Sequence, residues 1–229
     1  MKMTAAVGAV VMTAALSLVM LGCSANSTGN HASTANTKTV TSAQSKVAPR
    51  VTNAPGPNPT IASYIQDNGI TETPVHHGDP GAPTIKLPTP DGWIDAGQDT
   101  PEWAYSAIVF NGQNSGDDTP SIVALLSKLT GNVDQQKLLA LAPGELTNLD
   151  NFKATSPGST STLDGFPAYQ LAGTWVQDDQ TKFVAQKTVV IPAANGVYVL
   201  QLNSDALQDQ TSVASAATGV VDQTTTITP

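Results

Sequence analysis

Phe166-Pro167-Ala168-Tyr169-Gln170-Leu171-Ala172-Gly173-Thr174-Trp175-Val176, Phe183-Val184-Ala185-Gln186-Lys187-Thr188-Val189-Val190-Ile191 and Val197-Tyr198-Val199-Leu200-Gln201-Leu202 follow one another in the last third of the chain. Each run is rich in β-branched and aromatic residues, the composition of strands. Gln177-Asp178-Asp179-Gln180 separates the first two, and Pro192 through Asn195-Gly196 the last two. Connections this short specify antiparallel neighbours, and Asn-Gly is a hairpin signal. In the third run Tyr198, Leu200 and Leu202 share one face, while Val197, Val199 and Gln201 share the other.

Working outward from these strands, Asp205 reads as the cap of a final helix, with Gln208 three residues on. That helix places Val213, Ala217, Val220 and Val221 on one side and tolerates Gly219 at a cost of about 1 kcal/mol. Upstream, Ser106–Asn111 and Ser121–Lys128 predict strands. A central helix is expected from Asn132 or Asp134, presenting Leu138, Leu139 and Leu141 until Pro143 redirects it. Thr60 caps a first helix carrying Ile61, Tyr64 and Ile65, with Gly69 as its stop. Residues 70–92 are rich in Pro and Gly, with Thr84-Ile85-Lys86-Leu87 as a short strand between turns. Helices at both ends and one in the middle, around an antiparallel sheet, give an α+β class, an α/β sandwich.

The 229-residue chain opens quite differently. Lys2 is followed by a stretch without charge that runs through Leu16, Val19 and Leu21 to Gly22, the pattern of an export signal. The stretch approaches the length of a bilayer span, so a retained anchor fits it too, as does a plain signal with an incidental cysteine. Cys23, the only cysteine of the chain, stands directly after Gly22. Met20-Leu21-Gly22-Cys23 resembles the lipobox of bacterial lipoproteins, departing at Met20, where Leu is favoured. That resemblance implies cleavage before Cys23 and acylation of its thiol. Residues 1–22 are then a lipoprotein signal peptide and residues 23–60 a lipidated, Ser/Thr/Pro-rich tether without aromatic residues or apolar periodicity. Residues 61–229 are the folded domain. By square-root scaling the tether spans roughly 35 Å.

Charge follows the same division. Lys38, Lys46 and Arg50 make the tether basic, whereas residues 61–229 hold six Lys and Arg against all eighteen Asp and Glu, a net of −12. Such a domain repels a phosphate backbone, which argues against nucleic acid as a partner, and it resists lying flat on an anionic bilayer. The lipid anchor at Cys23, not surface charge, is expected to hold the protein to the membrane. With one cysteine no intramolecular disulfide forms, so stability must come from burial.

The inventory for catalysis is thin. No Gly-x-Ser-x-Gly elbow occurs, and the histidines are His31, in the tether, and the pair His76-His77. His76-His77-Gly78-Asp79 could supply metal ligands, but adjacent histidines on extended chain diverge and the ligands number too few. A turn shaped by Gly78 and Asp79-Pro80-Gly81 explains them better. Asp117-Asp118 and Asp178-Asp179 lack the spacing of a calcium loop and read as turn carboxylates. No cofactor is called for. Trp93 and Trp103, in polar, turn-rich surroundings, are the candidate ligand-binding residues, because apolar pockets recruit aromatic rings.

Thr73-Pro74-Val75-His76-His77-Gly78-Asp79-Pro80-Gly81, Leu126-Ser127-Lys128-Leu129-Thr130-Gly131, Ala142-Pro143-Gly144-Glu145-Leu146, Ala185 through Pro192 and Thr225-Thr226-Ile227-Thr228-Pro229 resemble the LpqN/LpqT family of mycobacterial lipoproteins. The resemblance covers the chain from about Thr60 onward. It implies a fold similar to the Mog1/PsbP type and a non-enzymatic role in cell-envelope biogenesis, on the outer face of the cell membrane facing the periplasm and cell wall. It places that role beside transporters that export mycolic-acid lipids, so the domain is expected to bind an envelope lipid such as a trehalose mycolate, such a transporter, or both. The other reading is a protein–protein interaction module without a lipid ligand; a hydrolase or metal binder comes third. An apolar groove near Trp93 or Trp103 favours the lipid binder, and a filled sandwich favours the interaction module.

Overall fold

The computed structural model describes residues 56–112 and 118–229. The signal stretch, Cys23, the tether up to residue 55 and Asp117 lie outside the described residues. In chain order the elements are α1 (Ile61–Asp67), β1 (Thr71–Val75), β2 (Thr84–Lys86), β3 (Trp93–Asp95), β4 (Ser106–Phe110), β5 (Ser121–Thr130), α2 (Gln135–Leu141), α3 (Gly144–Thr147), β6 (Lys153–Ala154), β7 (Ser159–Leu163), β8 (Phe166–Gln177), β9 (Gln180–Ala193), β10 (Gly196–Leu207), α4 (Thr211–Thr224) and β11 (Thr226–Thr228).

The three quoted runs are β8, β9 and β10, all antiparallel and all longer than their apolar cores. Asp178 and Asp179 both adopt positive φ, 51° and 61°, at the tip of the β8–β9 hairpin. This is the left-handed pair that a two-residue hairpin turn requires, and short acidic side chains tolerate it. The β9–β10 hairpin differs in detail from the Asn-Gly expectation. Ala193 pairs with Gly196, so Ala194-Asn195 forms the tip and Gly196 opens the strand. Gly196 has φ 144°, and a Cβ there would stand 2.8 Å from the Leu129 carbonyl oxygen. Only glycine fits both conditions.

The main sheet runs β3-β4-β5-β10-β9-β8-β6, with β1 adding to β5 and β7 to β8. Strand alternation divides its core. On one face Tyr198, Leu200, Leu202, Val189, Ile191, Ile122 and Leu126 pack beneath α4, which contributes Ala217 and Val221. On the other Leu129, Val190 and Val199 pack beneath α1 and α2, with Ile61, Leu138 and Leu141. Leu146, Leu171, Trp175 and Val184 continue that second layer under α3. The result is the expected α+β sandwich.

Local signals place the helices on the second face. Thr60 Oγ1 accepts from Ser63 N at 3.1 Å, while Ser63 Oγ accepts from Thr60 N at 3.0 Å, a capping box that starts α1. Asp134 Oδ1 accepts from Gln136 N and Lys137 N to start α2, and its own N–H donates to Tyr64 Oη at 3.0 Å. The last residues before α1 are docked as well. Asn58 exchanges hydrogen bonds with Asn148, ninety positions away, through Asn58 N to Asn148 Oδ1 at 3.0 Å and Asn148 Nδ2 to Asn58 O at 2.8 Å. A Cβ on Gly144 would overlap the Pro59 carbonyl. Asn58 and Pro59 thus pack directly against the α3 segment.

The end of the chain departs from expectation. Asp205 is not a helix cap: it pairs with Ser121 on one side and Val184 on the other, deep in the sheet. With both neighbours present, ladder hydrogen bonds outweigh a local capping signal, and β10 continues to Leu207. A 3₁₀ turn follows, with Leu207 N donating to Gln210 Oε1 at 3.2 Å, and the helix starts at Thr211. Val213, Ala217 and Val221 face the sheet as expected, but Val220 is 40% exposed. Beyond α4 the chain ends in strand: Thr226–Thr228 pairs with Thr84–Lys86, burying Ile227 and Ile85. Thr84–Lys86 lies within the expected 84–87 strand, whereas the three-residue alternation of Thr226–Thr228 is too short a pattern to read.

Leu200 is fully buried in the central strand. Leu200→Ala should lower unfolding free energy by about 2–5 kcal/mol in urea titration, as core truncations do. Val220→Ser should change it by no more than about 0.5 kcal/mol. Equal effects at the two positions would contradict the layer assignment.

Candidate functional site

Trp93 and Phe110 face each other across the β3–β4 ladder, which the register fixes directly. Their rings meet edge to face, centroids 6.0 Å apart at 60°, a favoured aromatic geometry. Gly92, at φ 79°, turns the chain immediately before, where a Cβ would press on Phe110 at 3.2 Å. Across from this pair α4 presents Val213, Ala217 and Val220. Between them runs an open groove of about 490 Å³, with apolar walls and Thr89 and Asp91 at its lip. Trp93 is itself 5% exposed, so it forms the groove's floor and not a protruding ring.

Trp103 is placed elsewhere. It lies in the Pro101–Ala104 turn, 46% exposed, and does not line the groove. Its neighbour Ala104 packs with Ala96, Ala107, Val109 and Val123. The two candidate tryptophans are thus not brought together, because strand alternation sends Trp93 beneath α4 while the 101–104 turn packs over Ala107 and Val109.

On the same sheet face lies a pocket of about 180 Å³ between β8, β9 and the C-terminal half of α4. Its charged wall is an ion pair, Lys187 Nζ to Asp222 Oδ2 at 2.8 Å, with the lysine side chain 8% exposed. Breaking such a pair strands a buried ammonium, so the two residues stand or fall together.

The opposite face holds a polar network within apolar packing. Glu145 Oε2 accepts from Gln186 Nε2 at 2.9 Å and from Gln201 Nε2 at 3.2 Å, and Gln186 Nε2 also reaches Asn203 Oδ1 at 3.0 Å. Gln186 and Asn203 are each 4% exposed. Beside this network a pocket of about 200 Å³ opens between α1 and the sheet. A sequence signal existed in Gln186, Gln201 and Asn203, which interrupt the apolar set of one face on adjacent strands. Glu145 as their common acceptor is a tertiary fact.

His76 and His77 sit in a turn. His76 N donates to Asp79 Oδ2 at 2.8 Å, Asp79 N donates back to the His76 carbonyl at 3.2 Å, and the two side chains approach to 3.7 Å. The His77 ring lies 5.5 Å from Tyr105, whose hydroxyl accepts from Ile85 N. Neither histidine has a hydroxyl partner among the described residues, and no three His, Cys, Asp or Glu there are placed to hold a metal. Asp178 and Asp179 are exposed at their hairpin tip. Asp118 is not simply solvated: it pairs with Lys182 at 2.7 Å. No helix among the described residues is long and apolar enough to cross a membrane.

Comparison with known proteins gives a consistent result. The family described as "Probable lipoprotein LpqN" matches residues 57–228. Lipoprotein LpqN of Mycobacterium tuberculosis (strain ATCC 25618 / H37Rv) is 49% identical over 226 residues, covering 96% of this chain and 98% of that protein. A crystal structure of LpqN "involved in cell envelope biogenesis of Mycobacterium tuberculosis" matches with 53% identity and TM-score 0.72, over 76% of this chain and all of the other. A solution structure of cyanobacterial PsbP from Synechocystis matches at 9% identity and TM-score 0.41, over 69% of this chain and 92% of that one. From its capped first helix to its last strand, the chain belongs to the LpqN lipoprotein family.

Proposed function

We propose that this protein is a non-catalytic envelope lipoprotein, anchored through acylated Cys23, whose domain receives or shields an amphipathic envelope lipid in the groove beside Trp93. The observation that carries this reading is the groove itself, an apolar channel of about 490 Å³ that the packing of α4 leaves unfilled. Unoccupied apolar concavities rimmed by polar groups are where amphipathic ligands bind. Each buried methylene contributes about 0.8 kcal/mol, so about ten of them set a micromolar ceiling before ordering costs. The LpqN relative's role in cell envelope biogenesis supports an envelope lipid as ligand, and our reading takes a trehalose mycolate and an exporter of such lipids as its partners. The net charge of −12 suits the domain to basic partner surfaces.

The groove is tested by titrating residues 56–229 with a short-chain trehalose ester in a calorimeter. Ala216 lines the groove and is exposed, so Ala216→Trp should fill it, weaken binding at least about tenfold and leave thermal stability within the usual surface range. No binding at millimolar ester, together with no in-cell cross-link to a lipid exporter, would leave the interaction module as the remaining reading.

Anchoring is tested separately. Two or more acyl chains give stable attachment, whereas one binds marginally. Cys23→Ala should therefore move the protein from the membrane fraction to the soluble fraction, or leave it uncleaved; an unmodified, soluble wild type would contradict the anchor. Ester, glycoside and phosphate hydrolysis should stay at background, and a turnover abolished by His76→Ala or His77→Ala would overturn the non-catalytic assignment.

A further inference from the structure

The pocket between α1 and the sheet is unlike the groove, and it lies on the opposite face. Its lining mixes the apolar Ile61, Ile65, Leu129 and Val199 with the polar Ser127, Gln201 and Glu145. Its volume of about 200 Å³ is over ten times the ~15 Å³ that admits a single water. Glu145 is half-buried and is held in position from behind, because Oε2 takes both amide donors. No cation among the described residues pairs with it, the ion pairs there being His76–Asp79, Lys182–Asp118 and Lys187–Asp222. A second carboxylate, Glu72 of β1, is exposed at the rim.

A pocket that sets Ile, Leu and Val side chains beside a carboxylate without a described cationic partner matches an alkyl stem with a cationic head. The stem buries against Ile, Leu and Val while the head meets the charge. The free geometry selects the head. With Oε2 committed to Gln186 and Gln201, Glu145 offers one oxygen, which suits the compact ammonium and disfavours the two-pronged guanidinium. We propose that this pocket is the receptor for a lysine side chain of a partner protein, with Glu145 as the acceptor and Glu72 as an attracting charge at the entrance. The net charge of −12 on the domain favours such a basic partner. This inference does not depend on the lipid groove, since the two sites lie on opposite faces of the sheet.

The test uses the full lipidated chain in detergent micelles, with methyl NMR on Ile61, Ile65 and Leu129 as the readout. A capped lysine (N-acetyl-lysine-N-methylamide) should shift these methyls saturably at about millimolar concentration, the range expected of one small side chain. Capped norleucine, which keeps the stem without the charge, and capped arginine should bind at least about tenfold more weakly. Glu145→Gln should reduce the lysine affinity by about the same factor, and Glu72→Gln by a smaller one, about two- to threefold. Equal binding of norleucine, or an unchanged affinity in Glu145→Gln, overturns the proposal. So does a shift of the same methyls, without ligand, on replacing Lys46 and Arg50 by Ala, because the chain's own tether would then be the occupant. In cells, a photo-cross-linker at Ala62, on the pocket's rim, should capture a peptide with lysine close to the cross-linked position, in a yield that Glu145→Gln lowers. A captured peptide without lysine, or a yield indifferent to Glu145, counts against it.

Discussion

The central strand β10 is paired on both edges and covered on both faces, and most of the structure follows from that confinement. It forms its ladder with β9 along its whole length and with β5 from Val197 to Asp205. A strand so held has every second side chain committed to one layer, and a register slip of one residue would exchange the layers entirely. Tyr198, Leu200 and Leu202 therefore lie under α4, and Val199 lies under α1 and α2. The same confinement carries the ladder through Asp205 and delays the last helix until Thr211.

The two faces are not equivalent. Beneath α4 the core is apolar apart from the buried Ser204 and Lys187, and the lysine is neutralised by Asp222 of the covering helix. Beneath α3 the strands place Gln186, Thr188 and Asn203 in the interior. Burying amides costs free energy unless they are bonded, and here Glu145 accepts from Gln186 and Gln201, so the residue that covers the network also satisfies it. Sheet face and covering helix are thereby fixed to one another by chemistry as well as by shape.

Both faces leave space at the sheet, and the groove beside Trp93 and the pocket beside Glu145 differ in lining. The groove beside Trp93 is walled by carbon on both sides and open along its length, a shape for a chain. The pocket beside Glu145 is smaller, about 200 Å³, and has the carboxylates of Glu145 and Glu72 in its lining. Because the two spaces lie on opposite faces of the sheet, the proposed lipid and the proposed protein partner would not compete for one site.

The sequence alone determined the meander, because three long runs of β-rich residues with two short connections admit only antiparallel neighbours. It also determined the first and central helices, whose caps at Thr60 and Asp134 are local, and the α+β class that these elements impose. Trp93 was legible as a residue worth locating, and Trp103 equally so; nothing local distinguished the floor of a groove from an exposed turn. Of the short strands, β2 was legible around Ile85, but β1, with Pro74, and β11, with only Ile227 buried, were hidden because their ladders depend on partners far along the chain. The groove, the Lys187–Asp222 pair and the Glu145 network were decided only by tertiary structure. Each joins side chains from elements distant in sequence, and the forces that assemble them, burial and buried charge compensation, act between surfaces that exist only once the sheet has formed.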